Sequence, residues 1–574
     1  GRLILPNRDA RSTVRGVLFE VHHTAPGYEH LVGQRVILRW ANLPMIKDLV
    51  QAARRDLHFS ADAEYTSKYG GLIHPERLNH WQQVGPLESL AGSYPTDDMI
   101  VMLNEPVEVE EGEVNDSQPP LSSFPSPHPI PSTILRICSQ PVQITGRFYA
   151  LVRFVQPIPG TDQFRVVHFN KATRDFNGAE DVVRLPEVVV AAAYGSSPST
   201  SRGLERSPFN ETGWYIYGAK DDRGVFVVQA LGPRALFRLQ PEEVVFGKKA
   251  SYRYIRKRSW ANIKAQKGDI SSVLCVGNNH VSPSAIQTAI DDWKEGDRAL
   301  LIHVYGGIGG KKAEPAAATP IFFGHFAFGV AKVVREPLTD ELRFDLRYHQ
   351  VYTHNTDGLI AGTLHWSRYM GDRQFGWLGT RPVCDILIKH DAFTGYYDFS
   401  TGRQSPFDYM LAQLEVMTAR YRIGDGTGGT YVGAASNCAQ DSNQAMFASL
   451  RQIERKIRAN ADALQRWSEV HPEQAYRFKD LLALGKELKQ QLQPLGGEQS
   501  AWERNEYNLG TTLEDDPIHN LLTGLGSWRT MLPRLASDTV VKVFLDHGAS
   551  VWVLRTNQVG GYDPDIEPIA PMTL

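Results

Sequence analysis

One cysteine, Cys438, follows a glycine-rich run (Gly424, Gly426, Gly428, Gly429, Gly433) and precedes Phe447, Leu450, Ile453 and Ile457 at helical spacing. Ser436 and Asn437 are good N-cap residues, so the pattern predicts a helix whose first turn carries the thiol. The positive end of a helix dipole favours a thiolate, and so a nucleophile. The bland alternative is a small buried cysteine at a packed helix start. Cysteine catalysis also needs a base and a group to orient it. His325 lies in an apolar run over 321–334, and a second such run over 342–352 carries His349 and Gln350. The intervening 335–341 suits an antiparallel hairpin. Register then decides whether His349 or Gln350 shares the face of His325. The expected roles are Cys438 as nucleophile, His325 as base and His349 or Gln350 as orienting group. The Cys438 N–H is available to a developing oxyanion. That is the chemistry of a hydrolase or acyltransferase acting on an amide or ester. A core hairpin whose histidines merely line packing is the competing expectation.

The elements around these residues must come from a long chain. At 574 residues, about 150 residues per domain gives three or four domains. Residues 1–107 read as a β-rich module and 108–132, acidic then dense in proline, as a linker. Residues 133–247 hold many short strand patterns punctuated by glycine and proline, which suggests a β-rich barrel or sandwich module. A basic, aromatic connector over 248–270 leads into an α+β domain over 271–450. A helical hairpin region follows over 451–535, with apolar positions in 443–470 facing those in 472–491. C-terminal strands, on the two short apolar runs 540–545 and 550–554, and an extended tail fill 536–574. Residues 355–373 read as a loop dense in hydrogen-bonding groups. The fold class expected is a multidomain α+β protein.

Other motifs carry less. His22 and His23 invite a metal, but adjacent residues on a strand point to opposite faces. The stretch 306–312 is a glycine-rich turn after a strand, yet Ala313 stands where a phosphate loop needs Ser or Thr. Residues 248–260 interleave cations with aromatics, as a nucleic-acid patch does. The net charge of -3 gives that patch no support from the rest of the chain. Cys138, Cys275, Cys384 and Cys438 form no CxxC pair, which argues against structural zinc and a disulfide framework and fits a reducing compartment. No cofactor or metal is expected. No apolar run reaches the ~18 residues that span a bilayer. The chain opens at Gly1, which fits a trimmed piece of a longer protein.

Strands bearing the histidine first and the nucleophile helix last is the order of circularly permuted papain-like folds. With Asn437-Cys438 opening the helix and His325 upstream, the region resembles permuted NlpC/P60 and lecithin–retinol acyltransferase-like hydrolases. This resemblance implies a papain-like domain acting on peptide, amide or ester substrates. A second resemblance covers more of the chain. The phrases at 293–300, 349–358, 437–445 and 557–568 are similar to cyanobacterial proteins of the CPBP (CAAX-protease and bacteriocin-processing) group. In that group such a region precedes an intramembrane protease domain. The resemblance implies a cytoplasmic or membrane-peripheral region, with a membrane domain as its partner and a regulatory or scaffold role as the alternative to catalysis. The group's EExxxR motif has no counterpart, because Glu110-Glu111 and Glu242-Glu243 lie in no apolar helix.

Overall fold

The strand Arg298–Gly306 is apolar on both faces, with Ala299, Leu300, Leu301, Ile302 and Val304 all buried. Such a strand belongs inside a sheet covered on both sides. The computed structural model describes residues 1–8, 14, 16–56, 81–93, 99–111, 133–188, 203–262, 265–278, 282–306, 324–355, 358–374, 376–379, 382–400, 402–423, 438–492, 532–557 and 559. It places this strand fifth in a 15-stranded sheet. The order on that side is Glu243–Phe246, Ile270–Val276, Ser550–Asn557, Pro382–Lys389, Arg298–Gly306, Gly324–Arg335, Leu342–Asn355 and Gly358–His365. It continues through Val142–Gln143, Met99–Met102, Arg2–Ile4, Val17–Glu20, Arg35–Trp40, Thr133–Ile137 and Val107–Glu111. The join is thin, since Leu364 and Gln143 are the paired residues between Gly358–His365 and Val142–Gln143. Each side has its own core, one centred on Leu3, Val17, Val36 and Leu90, the other on the central strands and their helices.

The expected hairpin is present: Gly324–Arg335 and Leu342–Asn355 pair antiparallel from Arg335↔Leu342 to Phe328↔His349. Helices Pro406–Ile423, Cys438–Ala459 and Pro533–Asp546 pack against these strands and their neighbours. Five further strands, Phe148–Pro157, Gln163–His168, Glu180–Arg184, Phe226–Pro233 and Trp214–Lys220, close on one another in that order. The whole is a mixed α/β chain, and among the described residues no helix is long and apolar enough to cross a membrane.

Several boundaries differ from expectation, some because a distant strand supplies the missing partner. Thr133–Ile137 pairs with Arg35–Trp40 and Val107–Glu111. It therefore joins the N-terminal sheet and not the 133–247 module, and the first acidic residues of the 108–132 linker lie in a strand. Glu243–Phe246 leaves that module for the central sheet through Ile270–Val276. The connector over 248–270 contains the helix Lys248–Arg256, with Tyr254, Ile255 and Trp260 in the main core. Within the expected loop, Gly358–His365 is a strand on the edge of Leu342–Asn355, followed by the short helix Trp366–Tyr369. The single helix expected over 443–470 breaks at Asn460, whose Nδ2 donates to the Lys456 carbonyl. Of the two C-terminal strands expected, 550–554 lies in the strand Ser550–Asn557, but 540–545 is helical, inside Pro533–Asp546, because Ala536, Val540, Val543 and Phe544 are buried at helical spacing. The rest of the linker, the 307–323 stretch, the glycine-rich run before Cys438, 493–531 and the tail beyond 559 lie outside the described residues.

Candidate active site

The central strands bring four polar side chains to one place by register. Tyr305 lies opposite His325, His303 lies opposite Ala327, and on its other side His303 lies opposite Asp385. Past Phe328↔His349 the Gly324–Arg335 and Leu342–Asn355 strands no longer pair. Gln350, one residue beyond that point, reaches His325: Nε2 of the imidazole lies 2.6 Å from Oε1 of the amide. A carbonyl oxygen only accepts, so Nε2 carries a proton in this contact.

Cys438 is the first residue of the helix Cys438–Ala459. Its Sγ lies 4.0 Å from the carbonyl oxygen of Gly324, the residue before His325. The Phe326 amide and the N–H groups of Ala439 and Cys438 itself are directed at the sulfur. The thiol thus occupies the gap left where the two strands part, against the strand that carries His325. Burial dominates its protonation. Removal from water pushes the thiol up to about 12, against the three amides that favour its anion. Cys438 is 6% exposed and His325 4%.

His349 does not join them. As the neighbour of Gln350 on an extended strand it faces the other way, where its Nδ1 lies 3.2 Å from Oγ1 of Thr363. Burial, with Arg347 nearby, lowers it to about 4, so it is neutral at pH 7. Of the two candidates for orienting group, the geometry pairs Gln350 with His325 and leaves His349 out.

A second hydrogen-bonded line adjoins the first. His303 Nδ1 lies 2.7 Å from Oδ1 of Asp385, Tyr348 donates to Oδ2 at 2.8 Å, and Tyr369 Oη lies 3.1 Å from His303 Nε2. The His303, Tyr305 and Tyr369 rings lie 5.8, 5.3 and 6.3 Å from that of His325. This aromatic box fixes the plane of the proposed base. None of these residues stands out in the sequence reading. The signal for them is a polar pair, His303 and Tyr305, two apart on an otherwise apolar strand.

The remaining candidates resolve into structural contacts. His22 Nε2 meets Glu20 at 3.0 Å and His23 Nε2 meets the Arg147 carbonyl at 2.6 Å. Among the described residues no group of three His, Cys, Asp or Glu is placed to hold a metal ion. Three of the six cations of 248–260 are engaged: Arg258 with Glu243 at 2.7 Å, Arg256 with Asp538 at 3.7 Å, and Lys248 with the Asp546 carbonyl. Trp260 lies beneath Arg534 and Arg555 rather than open to a base. No family model, no curated protein and no solved structure matches this chain.

Proposed function

We propose that this chain is a cysteine-dependent hydrolase or acyltransferase of papain-like character, acting on an amide or ester. Cys438 is its nucleophile, His325 its base and Gln350 the group that orients the base. The observation that carries this reading is the 2.6 Å contact from His325 Nε2 to Gln350, on the strand against which the Cys438 sulfur is seated. In this reading the His325 imidazole takes the thiol proton as attack begins. Because burial pushes the thiol up to about 12, the thiol rests protonated and proton transfer accompanies attack. The Cys438 amide is the first donor for the oxyanion that attack creates.

Incubation of the full chain with p-nitrophenyl esters of short acyl groups tests this reading. The expected outcome is p-nitrophenolate release together with a thioester mass increment on the peptide containing Cys438. Both are lost in Cys438→Ala and reduced at least 100-fold, on the order expected for losing a general base, in His325→Ala. Release that persists in Cys438→Ala contradicts it.

The burial of both Cys438 and His325 favours a second reading, a non-catalytic regulatory or scaffold region attached to a membrane domain. On that reading the thiol only fills the gap between the strands. It predicts no acylation and a Cys438→Ser variant that differs from the parent in stability alone.

A further inference from the structure

The helix Lys248–Arg256 turns Ser251, Tyr254 and Ile255 into the protein. At about 100° per residue, Lys249, Arg253 and Arg256 stand on the opposite side, and all three are exposed. Lys257, also exposed, extends the row at the helix end. The side chains of Lys249, Arg253 and Lys257 form no hydrogen bond or ion pair among the described residues. Arg256 is loosely held: it is 55% exposed, while Asp538, 3.7 Å away, is 12% exposed and lies beneath it. Helix stability accounts for part of this row only. Cations suit the last turn of a helix, where Arg253 and Arg256 lie, and oppose the dipole in the first. Lys248 and Lys249 open this helix, and its first turn holds no acidic residue. Lys248 donates to the Asp546 carbonyl, but Lys249 makes no such contact in return. A residue that breaks a local rule without compensation points to a task outside the fold.

We infer that the row Lys249, Arg253, Arg256 and Lys257 is a docking surface for the phosphate headgroups of an anionic lipid bilayer. The inference is independent of the chemistry proposed for Cys438. Two observations favour a bilayer over a nucleic-acid strand. The row stands on the outer side of a helix and not in a groove. The aromatic residues of the same stretch turn inward: Tyr254 is 6% and Trp260 4% exposed, and Tyr252 is half-buried. Surfaces that hold a single strand pair a cationic groove with open rings on which bases stack. Headgroups need neither, only cations within a Debye length of the membrane surface. The net charge of -3 confines the attraction to this face, so docking turns the helix Lys248–Arg256 towards the bilayer. Four cations without an inserted apolar group give weak, reversible attachment.

Flotation of the full chain at low salt with phosphatidylcholine vesicles, with and without phosphatidylserine, tests the inference. The expected result is binding to the phosphatidylserine vesicles alone, weakening as salt is raised. The triple variant Lys249→Gln, Arg253→Gln, Lys257→Gln removes exposed side chains that make no contact, so its urea midpoint stays at that of the parent. Its affinity for the vesicles is expected to fall about 100-fold, near fivefold for each cation. A second triple variant, Lys220→Gln, Arg223→Gln, Lys332→Gln, removes the same charge from exposed positions elsewhere. It is expected to bind within about threefold of the parent, because charges beyond a Debye length from the membrane are screened. Equal loss in the two variants overturns the inference, as does a parent chain that shows no phosphatidylserine-dependent binding at low salt. Tighter binding of a DNA oligonucleotide than of the vesicles, lost in the first variant, also overturns it and assigns the row to nucleic acid.

Discussion

At the residue scale, the contrast between His349 and Gln350 shows how one step along a strand changes chemistry. Period-two alternation sends one to Thr363 and the other to His325. The buried His349 carries a consequence for pH. Its proton affinity is lowered to about 4 in the folded chain, against ~6.5 when exposed. A depressed histidine contributes stability that is present above pH ~6.5 and lost as pH falls towards 4. The loss is on the order of 3 kcal/mol for this group. Urea midpoints measured between pH 7 and 4 are expected to fall less steeply in His349→Gln than in the parent. Cysteines act at the other end. Burial pushes Cys384 and Cys438 up to about 12, so their contribution is intact below the unfolded thiol value of ~8.5 and lost as pH rises towards 12. Stability is expected to decline above pH 9, and less so in Cys384→Ala after correction for the cavity that variant opens.

At the scale of elements, the site depends on how closely two strands approach before they part. Gly329 lies opposite Tyr348, and a Cβ there would come within 2.1 Å of the Arg347 carbonyl oxygen. Gly329→Ala is expected to push the strands apart and destabilise the chain by about 1–3 kcal/mol, seen as a lower urea midpoint, and to reduce Cys438 acylation with it. Gly362→Ala is the control, since its Cβ meets the movable end of Gln143, at 2.6 Å. The hairpin and the Cys438 helix were legible because each satisfies a local rule: a polar turn between apolar runs, and residue types that favour caps before helical spacing. The strand Gly358–His365 and the helix Pro533–Asp546 were not. The first takes its hydrogen bonds from Leu342–Asn355, a partner that local pattern does not announce. In the second, 540–545 alone is too short an apolar run to separate period 2 from period 3.6.

Across the whole molecule, two cores share one continuous sheet through a thin join, and a buried arginine reinforces it. Arg422, at the end of Pro406–Ile423, is 1% exposed. It donates to Ala361 O at 2.8 Å, Gln140 Oε1 at 3.1 Å, Ser89 Oγ at 3.2 Å and Pro86 O at 3.3 Å. Burial lowers it to about 9, with Glu415 opposing that shift. Arg422→Met leaves these acceptors unpaired and is expected to cost about 3 kcal/mol or more. Urea unfolding followed by two probes, one in each core, is expected to lose its coincidence. No such tie is readable in the sequence, because its five partners and near neighbours are spread from Pro86 to Glu415. The same holds for the candidate site. Cys438 and His325 were legible as residue types in a plausible order. The choice of Gln350 over His349, and the His303–Asp385–Tyr369 line, depended on register and on strands far apart in the chain.

The central claim is that His325 serves Cys438, and the rate of Cys438 alkylation by iodoacetamide in the folded full chain tests it most directly. A buried thiol standing near 12 without a base is inert at pH 7. The account predicts labelling of Cys438 at pH 7 that slows at least tenfold in His325→Ala. Labelling that waits for unfolding, or that proceeds at the parent rate without His325, contradicts it.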